Sequence, residues 1–584
     1  MRDRIESYSN IIILSMLAIG SMLFIELNYR YWYSFMEQYM MFRTTSDYLM
    51  ERLAEPGGLN QYIAEFISLP FIYPFGASPV ISLLLVLIAI LFNMFLKGCG
   101  FGDRMSLAIF PSLLFWIFPQ ESVALQTMLL LVLISSLLYI NIYSDLARYI
   151  VGLILIVVCY LLATPASLLL AMLMAFHEIS KKNGGKRWPV AIAILAFALL
   201  LPLMAMRTIY IMPMREAFVG KHLCHPEYPI PTSIWCIILS FPLLSLILLM
   251  FRKKRLIKGD MLRLALTTIT LLVATILAIY LKKDPLEQAY RYDYLARQER
   301  WSEIVSHASA NPVRDMDALI YQNLALSKCG LMATDLTRFP QIGVEGLIPH
   351  NPKSRLGLIE ACEVAWQVGQ VNASQRFAFV GVLSSERLVQ PRLMKRLVES
   401  YLVNGEYRAA EKYIKILETT PHYADWASEQ RRYLKPDASA MCDWIAEKRA
   451  MLPLTDNPFD LTLTFPNAIA FLIDDHADNR PALEYGMAYL LIHKDLMTFM
   501  HYMELMRDRG EKIPKLYQEA ICLFYSAVNR DPEAFKKYAI DDEVMNRFAR
   551  FLKVFRSMPP ASLKGEFGDT YYYYAQFMPT PKQR

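Results

Sequence analysis

The sequence predicts an all-α protein in two parts: a polytopic transmembrane helical domain over residues 1–283, then a soluble α-helical domain over 284–584. Two observations carry this prediction. Apolar runs such as VISLLLVLIAILFNMFL and TMLLLVLISSLLYI crowd the first half, and beyond Asp284 no run reaches the ~20 residues that span a bilayer. From Leu286 onward the apolar periodicity is helical, with few alternating stretches. The chain has 584 residues, 55% hydrophobic and 20% charged, with a net charge of +6. Its basic clusters, KKNGGKR and FRKKRLIKGDMLR, adjoin apolar runs, as cytoplasmic flanks do. Neither has the interleaved aromatics of a nucleic-acid face, so no nucleic acid is expected as a partner. The eight cysteines are scattered without a CxxC, which argues against a disulfide scaffold or a zinc module.

The N-terminal stretch MRDRIESYSNIIILSMLAIGSMLFIEL reads as a retained signal anchor, since its apolar run is long and no small-x-small cleavage site ends it. A loop over 28–78 follows, rich in carboxylates and aromatics, far longer than the usual connection of about 4–6 residues. It breaks on Pro56-Gly57-Gly58, a helix-breaking triplet. Within it, helices are predicted over Ser34–Leu53 and Gln61–Phe71, lying on the membrane surface. Further spans are predicted near 79–97, 104–119, 122–142, 188–206, 232–251 and 263–281.

Residues 148–182 are long for one span and short for two, with Pro165 at the centre. A single crossing there would put Lys181, Lys182, Lys186, Arg187 and the cluster over 252–258 outside, against the positive-inside rule. A hairpin at Pro165, either two short helices or a re-entrant pair, restores both clusters to the cytoplasm. The expectation is about nine crossings in the inner membrane, N-terminus cytoplasmic and C-terminal domain periplasmic.

In the second half, RLVESYLVNGEYRAAEKYIKILETTP resembles a tetratricopeptide helix hairpin. Tyr401, Gly405, Tyr407, Ala410 and Pro421 fall near that repeat's spacing, with Gly405 expected to permit close helix crossing. YDYLARQERWSEIVSHASANP and KLYQEAICLFYSAVNRDPEAFKKY resemble poorer copies, so the domain is expected to be a tetratricopeptide-like solenoid. The tail GDTYYYY reads as a packed aromatic cap, with carbohydrate stacking as the alternative.

The segment MEQYMMF…DYLMERLAEPGGLNQYIAEFISLPFIYPFG, the Pro-centred hairpin and GDTYYYY resemble an uncharacterised integral-membrane family of Bacteroidota, over most of the chain. That resemblance implies no activity. The architecture is also similar to polytopic glycosyltransferases of the GT-C type, in the long first outer loop, its acidity and a soluble domain on the same side. Such a likeness implies transfer from a polyprenyl-phosphate-linked sugar, with an acid of the loop as base or metal ligand. A clean pair of acids directly after the first span is missing here, where Glu26 and Glu37 stand alone. Fold-level likeness is analogy, and the site has to be argued from its residues.

Sugar transfer needs a carboxylate to deprotonate the acceptor and cations to stabilise the phosphate leaving group. Glu37 and Asp47 are the candidate catalytic acids, and Arg207 and Arg215 the candidate phosphate contacts. The plainer readings are an interfacial carboxylate and headgroup-seeking arginines. His222-Leu223-Cys224-His225 offers ligand types, yet three ligands so close in one loop do not readily face one ion, and no metal is assigned. His177 and Glu178 read as a helix-terminal polar pair, with a proton relay as the alternative. No nucleotide-binding, zinc-protease or serine-hydrolase motif occurs, and no cofactor is assigned. Two functional readings stand: a GT-C-like transferase of the cell envelope, and a non-catalytic membrane scaffold whose helical repeats bind a protein partner. A transporter ranks third, because few ionisable residues lie within the spans.

Overall fold

The computed structural model describes residues 2–39, 41–118, 123–181, 187–220, 231–251, 260–281, 286–313, 315–350, 352–385, 390–454, 460–476, 478–529 and 536–578. The described residues are helices and loops, without a strand among them. They fall into two compact units, Met1–Asp284 and Pro285–Arg584.

Seven described helices of the first unit are long and apolar enough to cross a membrane: Tyr8–Asn28, Ala77–Gly98, Val123–Ile140, Asp145–Leu162, Trp188–Thr208, Thr232–Met250 and Met261–Leu281. Two shorter apolar helices, Met105–Ile117 and Ala166–Ser180, lie where the sequence predicts further spans. The protein is therefore a multi-pass helical membrane protein. Large apolar side chains stay exposed on these helices, Leu83, Leu199, Ile269 and Ile276 among them. Such faces are the ones a bilayer covers.

The break in the 148–182 segment falls at residues 163–165. Asp145–Leu162 ends at Ala163, and Pro165 caps Ala166–Ser180. Pro suits this position, because the first turn of a helix has no use for its missing N–H. At the far end of the second helix, buried Glu178 accepts from Arg148 Nε at 2.9 Å, Arg187 Nη1 at 2.8 Å and Tyr139 Oη at 3.1 Å. Neighbouring His177 places Nδ1 3.6 Å from Cys99 Sγ. Glu178 is thus a structural counter-ion, paired as a buried charge must be. Lys182, Lys186, the cluster over 252–258 and the His222–His225 loop lie outside the described residues.

The first loop differs from its prediction. The helix expected over Ser34–Leu53 is divided into Arg30–Phe35, a 3-10 turn Met36–Tyr39 and Ser46–Leu53. Residues 41–45 are not helical, and Thr45 is extended (φ −83°, ψ 147°) as it enters Ser46–Leu53. Packing explains the division. Met41 and Phe42 turn inward and are buried, and the Phe42 ring meets Tyr62 and Phe66 at 4.9 and 5.4 Å. The β-branched Thr44 and Thr45 favour the extended connection this requires. The second loop helix runs over Gly58–Ile67, starting and ending earlier than predicted, and a 3-10 turn follows over Leu69–Ile72.

The second unit is a succession of short helices. Glu287–Arg297, Met316–Lys328, Arg355–Gln367 and Pro391–Asn404 are followed by or packed on companions that include Trp301–Ala310, Val371–Ser384 and Tyr407–Leu417. In the last pair Ala410 is buried, and Tyr401 stacks on Tyr413 at 5.9 Å. Gly405 has another role than expected. It ends the helix in the left-handed region, with φ +75°, and an added Cβ would meet only Tyr407 Oη at 3.9 Å. Its backbone freedom matters there, not close helix crossing. The four consecutive tyrosines begin the helix Tyr571–Phe577 and are all buried, with Tyr572 against Phe548, Phe551 and Phe567. Their rings form a core, and none lies open for a sugar.

Candidate functional site

The loop's chemistry starts from the Pro56-Gly57-Gly58 break. Gly57 has φ +82°, and its N–H donates to Leu161 O at 3.0 Å, at the end of the helix leading into the Pro165 turn. A Cβ on Gly57 would stand 2.9 Å from Thr164 Oγ1, and one on Gly58 only 1.8 Å from Arg52 O. Both positions thus require glycine. One turn on, Asn60 Nδ2 donates to Ala124 O at 2.7 Å, and Thr127 Oγ1 donates to Asn60 Oδ1 at 2.8 Å. Two irregular features of the first unit, the glycine pair and the Pro165 turn, are in contact.

The acid that this loop buries is Glu65. Its carboxylate pairs with Arg52, accepts from Tyr48 Oη, and accepts from Gln61 Nε2 at 3.2 Å. Arg52 also donates from Nε to Tyr48 Oη at 3.1 Å. Arg52, Glu65 and Tyr48 are all buried, so the pair ties Ser46–Leu53 to Gly58–Ile67 without meeting solvent.

The sequence-selected residues lie on other elements. Glu37 is half-buried in the Met36–Tyr39 turn, and its carboxylate accepts from Gln38 Nε2 at 2.8 Å. Asp47 is exposed in the first turn of Ser46–Leu53, where a carboxylate complements the helix dipole. Arg207 is exposed in the last turn of Trp188–Thr208, and Arg215 half-buried in Met214–Val219. The two helices carrying the arginines pack together, whereas the two acids sit on separate elements of the loop.

The second unit holds a cavity of about 250 Å³ that sequence reasoning missed. Its walls come from Glu287–Arg297, Met316–Lys328, Arg355–Gln367 and Pro391–Asn404. Helical spacing puts Ile359, Glu363 and Trp366 on one face, and Arg392, Lys395, Arg396 and Glu399 on another. Arg396 donates to Glu363 at 2.7 Å and pairs with Glu399 at 3.0 Å, while its guanidinium lies 4.2 Å from the Trp366 ring centre. Arg392 pairs with buried Asp293, which also accepts from Tyr321 Oη at 2.5 Å. Burial alone would raise the Glu363 carboxyl, but Arg396 and Arg392 outweigh it and hold it at about 2. Lys448, behind the wall, donates to Trp366 O at 2.9 Å, and burial lowers its ammonium to about 8. The cavity therefore keeps fixed, ionised guanidinium groups across the physiological pH range.

The signal for half of this site lies in the sequence: Arg392, Lys395, Arg396 and Glu399 stand at i, i+3, i+4 and i+7 along Pro391–Asn404, whose first residues precede the quoted helix hairpin. Their meeting with Glu363 and Trp366 depends on how helices stack, which spacing within one helix does not reveal. A second, smaller cavity of about 150 Å³ has His350, Tyr489 and His493 in its wall. Among the described residues no group of three or more His, Cys, Asp or Glu is placed to hold a metal ion. Neither a curated protein nor a solved structure matches the chain. A family model matches residues 6–578, nearly its whole length, and the chain belongs to that family, a family of unknown function (DUF6057).

Proposed function

We propose that this protein is a membrane-held scaffold whose helical unit captures a protein partner in the Trp366–Arg396 cavity. One observation carries the reading: the cavity is walled by four helices of the second unit that are separated in sequence by others, with charged and aromatic side chains converging on it. Stacked helices commonly present such concave surfaces to partners. Following the charge parity of the sequence, the proposal puts the unit on the periplasmic side of the inner membrane. Cysteine labelling from outside should then reach position 400 and fail at 181–187 and 252–258.

The competing reading is a transferase that uses a lipid-linked sugar, with Glu37 or Asp47 as base and Arg207 and Arg215 on the phosphate. The scaffold is favoured because the loop's best-enclosed acid, Glu65, is already matched by Arg52, and because the glycine break serves to dock the loop. The test places a photo-crosslinking benzophenone side chain at Tyr423, in the cavity wall, and at Met441, which is 86% exposed. Expressed in cells, the full chain should crosslink one protein from Tyr423 and not from Met441. Complementation by Glu37→Gln and Asp47→Asn should be undiminished. Loss of complementation by either, with normal membrane abundance and no Tyr423-specific product, would overturn the scaffold in favour of the transferase.

A further inference from the structure

We propose that the cavity selects an acidic polypeptide segment, one that brings two negative charges between Arg392, Arg396 and Lys328. This deepens the scaffold reading and rests on it. The wall carries five cations, Arg297, Lys328, Arg392, Lys395 and Arg396, against three carboxylates, Glu299, Glu363 and Glu399. The excess is two positive charges. Behind the wall lie Asp293 on Arg392, Lys448 under Trp366, and the carboxyls of Glu360 and Asp317, both pushed up by burial.

Two features make this excess a recognition device. Arg392 and Arg396 are held by Asp293, Glu363 and Glu399, so their forks are oriented before any ligand arrives. Fixed guanidinium groups attract a ligand carboxylate by their charge, while the terminal nitrogens of Arg396 stay on Glu363 and Glu399. The lysines are the adaptable part. Lys328 is exposed and donates to the neutral Gln367 Oε1 at 3.1 Å, and Lys395 lies 4.0 Å from Glu399 with its ammonium 4.9 Å from the Trp426 ring centre. Both ammonium groups can turn to a ligand at little cost.

The walls favour a peptide over a lone anion. The cavity spans four helices and is far larger than one phosphate fills. Trp301 and Tyr423 are half-buried at its wall and offer apolar contact to residues beside the acidic ones.

The test uses full-length protein in phosphatidylcholine nanodiscs and titrates hexaglutamate, hexaserine and hexalysine by calorimetry, with inorganic phosphate and succinate as competitors. Hexaglutamate should bind, hexaserine and hexalysine should not, and raising salt should weaken binding. Lys328→Gln/Lys395→Gln should reduce hexaglutamate affinity about tenfold, the scale of two partly exposed charge contacts. Lys328→Arg/Lys395→Arg should retain it, and neither change touches the buried pairs that hold the fold. Equal binding of hexaserine, or an unchanged affinity in the glutamine double variant, overturns the proposal. So does phosphate or succinate binding as tightly as hexaglutamate, which would assign the site to a small dianion. The Tyr423 crosslink separates this from the broader reading. A partner captured equally by the glutamine double variant leaves the scaffold standing and removes the charge selection. Hexaglutamate binding without any Tyr423-specific partner does the reverse.

Discussion

Changing Glu519 to glutamine should flatten a pH dependence built into the end of the chain. Glu519 is 3% exposed, and its Oε2 accepts the Tyr571 N–H at 2.7 Å, at the start of the buried tyrosine helix. Burial pushes its carboxyl up from 4.5 to about 7, against the opposing pull of that N–H, Lys515 and Arg547. A carboxyl raised in the folded state binds its proton more tightly there than in the unfolded chain. The stabilisation is then complete below pH 4.5 and is lost as pH rises through 7. The interval from 4.5 to about 7, at 1.36 kcal/mol per pH unit, amounts to about 3 kcal/mol. About 2 kcal/mol of this falls between pH 5.5 and 8.5, or roughly a 30-fold change in the local opening equilibrium. The assay is amide hydrogen exchange over Tyr571–Phe577 in the full-length protein, corrected for the intrinsic pH dependence of exchange. Wild-type protection should fall by that factor, and Glu519→Gln should show little change. A flat wild-type profile, or an equal slope in Glu519→Gln, would refute the assignment.

Two further outcomes follow from the first loop. Arg52→Met alone should cost about 3–5 kcal/mol of stability, because it strands buried Glu65; Arg52→Met/Glu65→Met should recover most of that. Thermal unfolding of the four members of the cycle in one detergent checks this, and additive losses would count against it. Gly57→Ala should lower the unfolding free energy by the cost of a left-handed non-glycine residue, about 1–2 kcal/mol, plus the push against Thr164. Thr164→Ser/Gly57→Ala should do no better, since the Thr164 oxygen and N–H remain; a full recovery would show that only the methyl group was in the way.

The helical class, the apolar helices and the break near Pro165 were legible because each rests on local composition. The aromatic cap was legible too, since four adjacent tyrosines have few other uses. The first loop was half legible. Pro56-Gly57-Gly58 announced a break, but the division at residues 41–45 came from Met41 and Phe42 finding a core that periodicity within the loop does not contain. Choosing among the loop's acids failed for a related reason. Glu37 and Glu65 look alike in sequence, and only the fold shows that Glu65 is enclosed with Arg52 and Tyr48. Gly405 was recognised as necessary for the wrong physical reason, because spacing shows that a glycine is needed and not whether space or φ requires it.

The contact between Gly57 and the Pro165 turn also sets an order of assembly. The loop emerges from the ribosome about a hundred residues before Leu161 and Thr164 exist, some 5–20 seconds at ordinary rates of synthesis. During that interval Arg52 and Glu65 can already find each other, since only thirteen positions separate them. Asn60 and the glycine pair must wait for the helices Val123–Ile140 and Asp145–Leu162 to be inserted. The first loop is thus folded locally early and locked late, and the Pro165 turn is the latch that closes over it.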